Sequence, residues 1–161
     1  MIAGRNRYSA RNRGVDSRRM TDGANVELAR DMVSAVNRAA ETGEFDDWLS
    51  FFPDDIVWEA AEDAPDAGTY RGHRGIRGYL QDWLDTVDGP RFEMRELTEV
   101  GDRVVADIRF NARIKGTDTD MALDYSMVSL SEDGKITHIK EFLKRDDALA
   151  YAEASERGDG S

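Results

Sequence analysis

The run Val104-Val105-Ala106-Asp107-Ile108-Arg109-Phe110-Asn111-Ala112-Arg113-Ile114 alternates apolar and polar residues along its length. Val104, Ala106, Ile108, Phe110, Ala112 and Ile114 point one way, and Val105, Asp107, Arg109, Asn111 and Arg113 the other. A period of two over so many residues predicts a strand with a core face and a polar face, the pattern of an antiparallel sheet. The flanks extend that reading. Gly101-Asp102 predicts a turn on one side, and the polar stretch 116–120 a loop on the other. Residues 121–130 form a further strand, Glu132-Asp133-Gly134-Lys135 a hairpin turn, and residues 136–144 the last strand. Upstream, Phe92 and Met94 alternate with charges. Leu97 and Val100 then break parity, which predicts a bulge.

The N-terminal part has a different period. Val26, Ala29, Met32, Val33, Val36 and Ala40 recur at three- and four-residue spacings, predicting an amphipathic helix capped by Asn25 and stopped by Gly43. Phe45, Trp48, Leu49 and Phe52 mark a short aromatic helix ended by Pro53. Residues 56–59 read as a strand and 62–69 as a loop. A third helix runs over 73–87, with Ile76, Tyr79, Leu80, Trp83, Leu84 and Val87 as its stripe and Gly89-Pro90 as its end. Residues 146–154 form a C-terminal helix capped by Asp146. Helices thus stand apart from a meander of strands. That order predicts an α+β fold, a curled antiparallel sheet packed by N-terminal helices around a cavity.

Composition limits the function classes. The chain has 161 residues, 40% of them hydrophobic, enough for one core. It has no cysteine, so disulfides and thiol chemistry are excluded, and its two histidines cannot make a histidine-rich zinc site. With no apolar run near the ~18 residues of a membrane span and no signal-like start, a cytoplasmic location is expected. Six arginines fall within residues 1–19 against one aspartate, although the whole chain carries a net charge of −11. The body is therefore strongly acidic and repels nucleic-acid phosphates. The domain is expected over residues 23–155, with a disordered arginine-rich tail over 1–22 and a disordered end over 156–161. A plainer origin for the tail is translation of a leader ahead of a true start at Met20.

Several segments resemble the SnoaL-like branch of the nuclear transport factor two-like superfamily. They are residues 42–46 (TGEFD) between the first helices, 52–58 (FPDDIVW) entering the first strand, 70–76 (YRGHRGI) entering the third helix, and the closing pieces 134–137 and 141–149. The resemblance covers about residues 25–152. It implies that the curled sheet is cone-shaped and that the protein is a homodimer with a conical pocket, in a superfamily that includes ketosteroid isomerases, limonene-epoxide hydrolases, polyketide cyclases and non-catalytic ligand binders. Laid on the isomerase pattern, Ala60 falls at the base position, Val36 at the tyrosine and Ser126 at the oxyanion aspartate, so steroid isomerisation is not expected. The hydrolase arginine–aspartate pair is matched only by Arg109 and Asn111. Glu141 matches the last-strand carboxylate.

Glu141 is accordingly the leading candidate for acid–base catalysis, since a carboxyl facing an apolar cavity titrates near neutrality. Its alternative is an ion pair with Arg109, Arg113 or another arginine. His73, at the start of the third helix, is a second catalytic candidate with a surface role as its alternative. Trp58, Tyr70, Trp83, Phe92 and Tyr125 are candidate ligand-binding residues that could equally be core, and Arg109 joins them if its strand face is concave. His138 has the opposite parity to Glu141 and is assigned to the sheet surface or a dimer interface. Glu59, Glu62 and Asp63 could bind a hard cation or act as a base, but with no carbonyl scaffold they read as a solvated acidic loop. No metal or cofactor is required, and the expected partners are a small apolar molecule and a second copy of the chain. The functions open at this point are a cofactor-independent isomerase, cyclase or hydrolase, or a non-catalytic ligand-binding or dimerisation protein.

Overall fold

The computed structural model describes residues 17–156, and the side chains of residues 23–155. Helix α1 spans Ser17–Thr42 and α2 spans Asp46–Leu49; β1 is Val57–Glu59, β2 Thr69–Arg71, and α3 Gly72–Leu84. The long strands follow: β3 Val87–Val100, β4 Arg103–Ile114, β5 Asp120–Glu132 and β6 Lys135–Phe142, closed by helix α4 over Arg145–Glu156. The six strands form one unclosed sheet in the order β2-β1-β6-β5-β4-β3. The arginine-rich tail lies outside the described residues up to residue 16, as does the end beyond residue 156.

Sheet and helices arise largely as the periodicities dictate. On the concave face Ala106, Ile108, Met127 and Ile139 pack against Met32, Val33 and Val36 of α1. Asn37 ties α1 to the sheet edge, donating from Nδ2 to the Phe92 carbonyl and accepting from the Phe92 N–H, both at 2.8 Å. The Asp133-Gly134 turn has both residues at positive φ (53° and 80°), as a two-residue hairpin of this hand requires. The parity break after Met94 is a shift in register between Met94 and Glu96.

Four local expectations are corrected. The sheet is not wholly antiparallel, because β1 runs parallel to β6. Gly89-Pro90 does not end α3, which stops at Leu84; it lies inside β3, at another register shift, where an edge strand tolerates a missing N–H. Helix α1 begins upstream of Asn25, which is therefore no N-cap. Val105, assigned to the polar face of β4, is buried because α4 lies across that outer face and packs Ala148 and Ala152 on Val105 and Val128. Arg145 anchors this helix by donating from Nε to Asp107 Oδ2 at 2.6 Å.

Gly72 joins β2 to α3 at φ +73°, and its N–H donates to the Ile56 carbonyl at 2.8 Å. An added Cβ would sit 3.4 Å from the Asp54 carbonyl oxygen. Gly72→Ala is expected to destabilise the fold by about 1–2 kcal/mol through the left-handed backbone alone, as a shift in the urea midpoint would report.

Candidate functional site

Strand β6 alternates across the sheet. His138, Lys140 and Phe142 face outward; Ile139 and Glu141 face the concave side, with Glu141 opposite Met127 of β5. A cavity of about 80 Å³ opens under that carboxyl. Its apolar wall comes from Met32, Val36 and Ile108, and its aromatic wall from Trp58, Trp83 and Tyr125. The loop between β1 and β2 forms its rim through Ala61, Ala64 and Asp66. The volume is roughly half the ~150 Å³ in which an apolar cavity holds benzene, so the occupant must be compact or project through the mouth.

Tyr79 of α3 donates its hydroxyl to Glu141 Oε1 at 2.6 Å. Burial pushes the Glu141 carboxyl up to about 7, and the Asp66 charge adds to that, while the hydrogen bond from Tyr79 pulls the other way. The Trp58 indole N–H is buried without a partner of normal hydrogen-bond geometry, yet is close enough to the carboxyl to favour its anion as well. Burial, and then the neighbouring Glu141, raise the Tyr79 hydroxyl far above the ordinary phenol range, so it remains a donor. The Asp66 carboxylate accepts from Trp83 Nε1 at 2.7 Å, and its backbone carbonyl accepts from the Tyr70 hydroxyl at 2.8 Å. The Tyr70 ring stacks on Tyr79 at 4.4 Å between centroids. Removing the donor in Tyr79→Phe is expected to move the Glu141 ionisation further upward, which a carboxyl titration followed by NMR would detect.

The structure brings together Glu141, Trp58, Trp83, Phe92 and Tyr125 at the cavity. Tyr70 stands one layer behind them, against Tyr79. Two candidates lie elsewhere. His73 is held by Nε2 at 2.9 Å from the Phe52 carbonyl, at the outer end of α3, and does not line the cavity. Arg109 points to the opposite face of β4, where it makes a two-pronged bond to Asp124 at 2.7 and 2.8 Å. That face is the outer one, which is why Ile108 and Phe110, not Arg109, reach the cavity. Among the described residues, Glu141 has no ion pair with an arginine; its hydrogen bond is to Tyr79. Its partners Tyr79 and Asp66 escaped the sequence reading, Tyr79 as one member of an apolar stripe and Asp66 as one of several loop carboxylates.

The acidic loop is tied to the sheet. Glu59 accepts from His138 Nε2 at 2.6 Å and from Lys140 Nζ at 3.3 Å, and Glu62 lies 3.6 Å from Lys140. Among the described residues, no three carboxylate or histidine side chains converge so as to hold a metal ion. No described helix is long and apolar enough to cross a membrane.

Residues 29–139 match the model of the SnoaL-like domain. Among solved structures, a nuclear transport factor two-like protein of Burkholderia xenovorans is 25% identical, with a TM-score of 0.59 over 82% of this chain and 97% of its own. TerC, co-crystallised with polyporic acid, is 24% identical, with a TM-score of 0.63 over 81% and 98% of the two chains. A ketosteroid isomerase-like protein of Catenulispora acidiphila, in complex with trimethylamine, is 17% identical, with a TM-score of 0.59 over 75% and 91%. No curated protein matches the sequence significantly.

Proposed function

Since the chain belongs to the SnoaL-like domain family, we propose that it binds a compact, largely apolar organic molecule in the cavity and moves a proton on it through Glu141. The observation that carries this reading is one carboxyl, turned into an apolar cavity, hydrogen-bonded by Tyr79 and poised at about 7. Such a group exchanges a proton at neutral pH in both directions with little driving force lost. The reaction proposed is proton transfer or water activation of the isomerase, cyclase or hydrolase type, and it invokes no cofactor. Tyr79 acts as the positioning donor, and the indole and phenol walls exclude water. Two similar proteins, one in complex with trimethylamine and one co-crystallised with polyporic acid, lend support to small-molecule binding.

The test is a survey of turnover across small ketones, epoxides and lactones, followed by a pH–rate profile. Activity should depend on one group ionising close to pH 7, and that dependence should vanish in Glu141→Gln; full activity in the variant would refute the role. A second reading has its own support. Asp66 is engaged by Trp83, and neither His73 nor Arg109 reaches the cavity, so among the described residues Glu141 has no free second acid or base of the kind that completes a catalytic pair. On that ground a non-catalytic binder of the same molecule is the alternative, and saturable binding without turnover would favour it.

A further inference from the structure

Among the described residues, the charged side chains that line the cavity are Asp66 and Glu141, both acids, and no lysine, arginine or histidine lines it. Each carboxylate is held by the polar edge of an aromatic side chain, Asp66 by Trp83 and Glu141 by Tyr79. Both bonds run through the polar tips of the rings; one face of Tyr79 is stacked on Tyr70, and Trp58, Trp83 and Tyr125 add further aromatic lining to the space. A neutral apolar ligand brings no charge to either acid, whereas burial opposes the Glu141 anion. We propose that the cavity is an aromatic cage for a small alkylammonium cation, a quaternary or protonated tertiary amine. This rests on the ligand-binding reading above and names the class of ligand.

The chemistry fits at each wall. Methyl groups on nitrogen present an apolar surface to Met32, Val36 and Ile108, while the diffuse charge lies among Trp58, Tyr79, Trp83 and Tyr125. The cation also relieves the repulsion between Asp66 and Glu141. The groups facing Glu141 are Tyr79 from α3, Trp58 from β1, Asp66 from the rim loop and Tyr125 from β5, with Tyr70 behind Tyr79. None carries a positive charge. A bound cation therefore favours the Glu141 anion, and binding should tighten as pH rises through neutrality.

Calorimetry of the full chain with choline and with its carbon isostere dimethylbutanol, at pH 8 and low salt, tests the proposal. The two probes share shape and differ in charge. Choline is expected to bind about tenfold more tightly. In Asp66→Asn, whose amide oxygen can still accept from Trp83, that preference should shrink, and in the double variant with Glu141→Gln it should disappear. Retained dimethylbutanol binding in these variants reports an intact cavity. Equal affinity for the two probes in the unaltered protein, or a preference that survives in the double variant, would overturn the cage while leaving the ligand-binding reading in place. Failure of both probes to bind the unaltered protein would overturn both.

Discussion

Glu141→Gln is expected to lower turnover by at least about a hundredfold and, at pH 8, to make the protein more stable by up to ~3 kcal/mol. The first effect is the usual worth of a positioned proton-transfer group. The second follows from linkage. The carboxyl ionises near 4.5 in the unfolded chain and at about 7 in the folded one. Between those values the folded state holds the extra proton, so stability falls as pH rises. The protonated carboxyl's contribution is complete below about 4.5 and is lost as pH rises through about 7, a total of ~3 kcal/mol. Glutamine cannot ionise, and its side-chain oxygen still accepts from Tyr79. Urea unfolding at pH 4 and pH 8 should therefore show near-equal stability at the lower pH and a gap at the higher one. A gap that does not change with pH would mean that Glu141 is not held protonated by the fold.

Trp48→Ala is expected to cost roughly 3–5 kcal/mol, the range for deleting a large buried ring. The side chain is 1% exposed and sits at the centre of an aromatic cluster, with ring centroids 6.3 Å from Phe45, 5.3 Å from Phe52 and 6.0 Å from Trp58. Trp58 carries part of the cavity wall, so the vacancy would loosen the site as well as the core. Trp48→Phe provides the contrast. The Trp48 indole N–H has no hydrogen-bond partner among the described residues, so the smaller ring gives up volume but no polar contact. Its cost should be less than half that of alanine. Equal losses for the two variants, measured by denaturation, would show that the edge-on ring contacts contribute little.

What could be read from sequence was whatever repeats locally. The alternation in β4, the helical stripe of α1 and the Asp133-Gly134 turn are patterns a few residues long, and the structure has all three. The parity break after Met94 was legible for the same reason. Pairings between distant segments were not. That β1 runs beside β6 depends on contacts about eighty residues apart, and β2 is three residues long with both ends exposed, too short to show a period. Glu141 was legible because it matches the last-strand carboxylate of the family the chain resembles, while strand parity set it on the face opposite His138. Tyr79 was hidden because an aromatic at helical spacing looks the same whether it fills the core or donates to a buried carboxyl. Arg109 shows the converse limit, since alternation says that two faces differ without saying which one is concave until α1 is seen to cover the other.

The unclosed sheet has a final consequence for how molecules of this protein meet at high concentration. An open sheet offers strand edges that can template further strands and seed aggregates. Here β2 ends the sheet after three residues, and β3, the long edge, is out of register twice and interrupted by Pro90. Where β3 runs regularly through Phe92, its outward amide and carbonyl are already taken by Asn37 of α1. Edge-to-edge growth is thus obstructed along both borders, so the curled sheet can stay unclosed without inviting fibril formation.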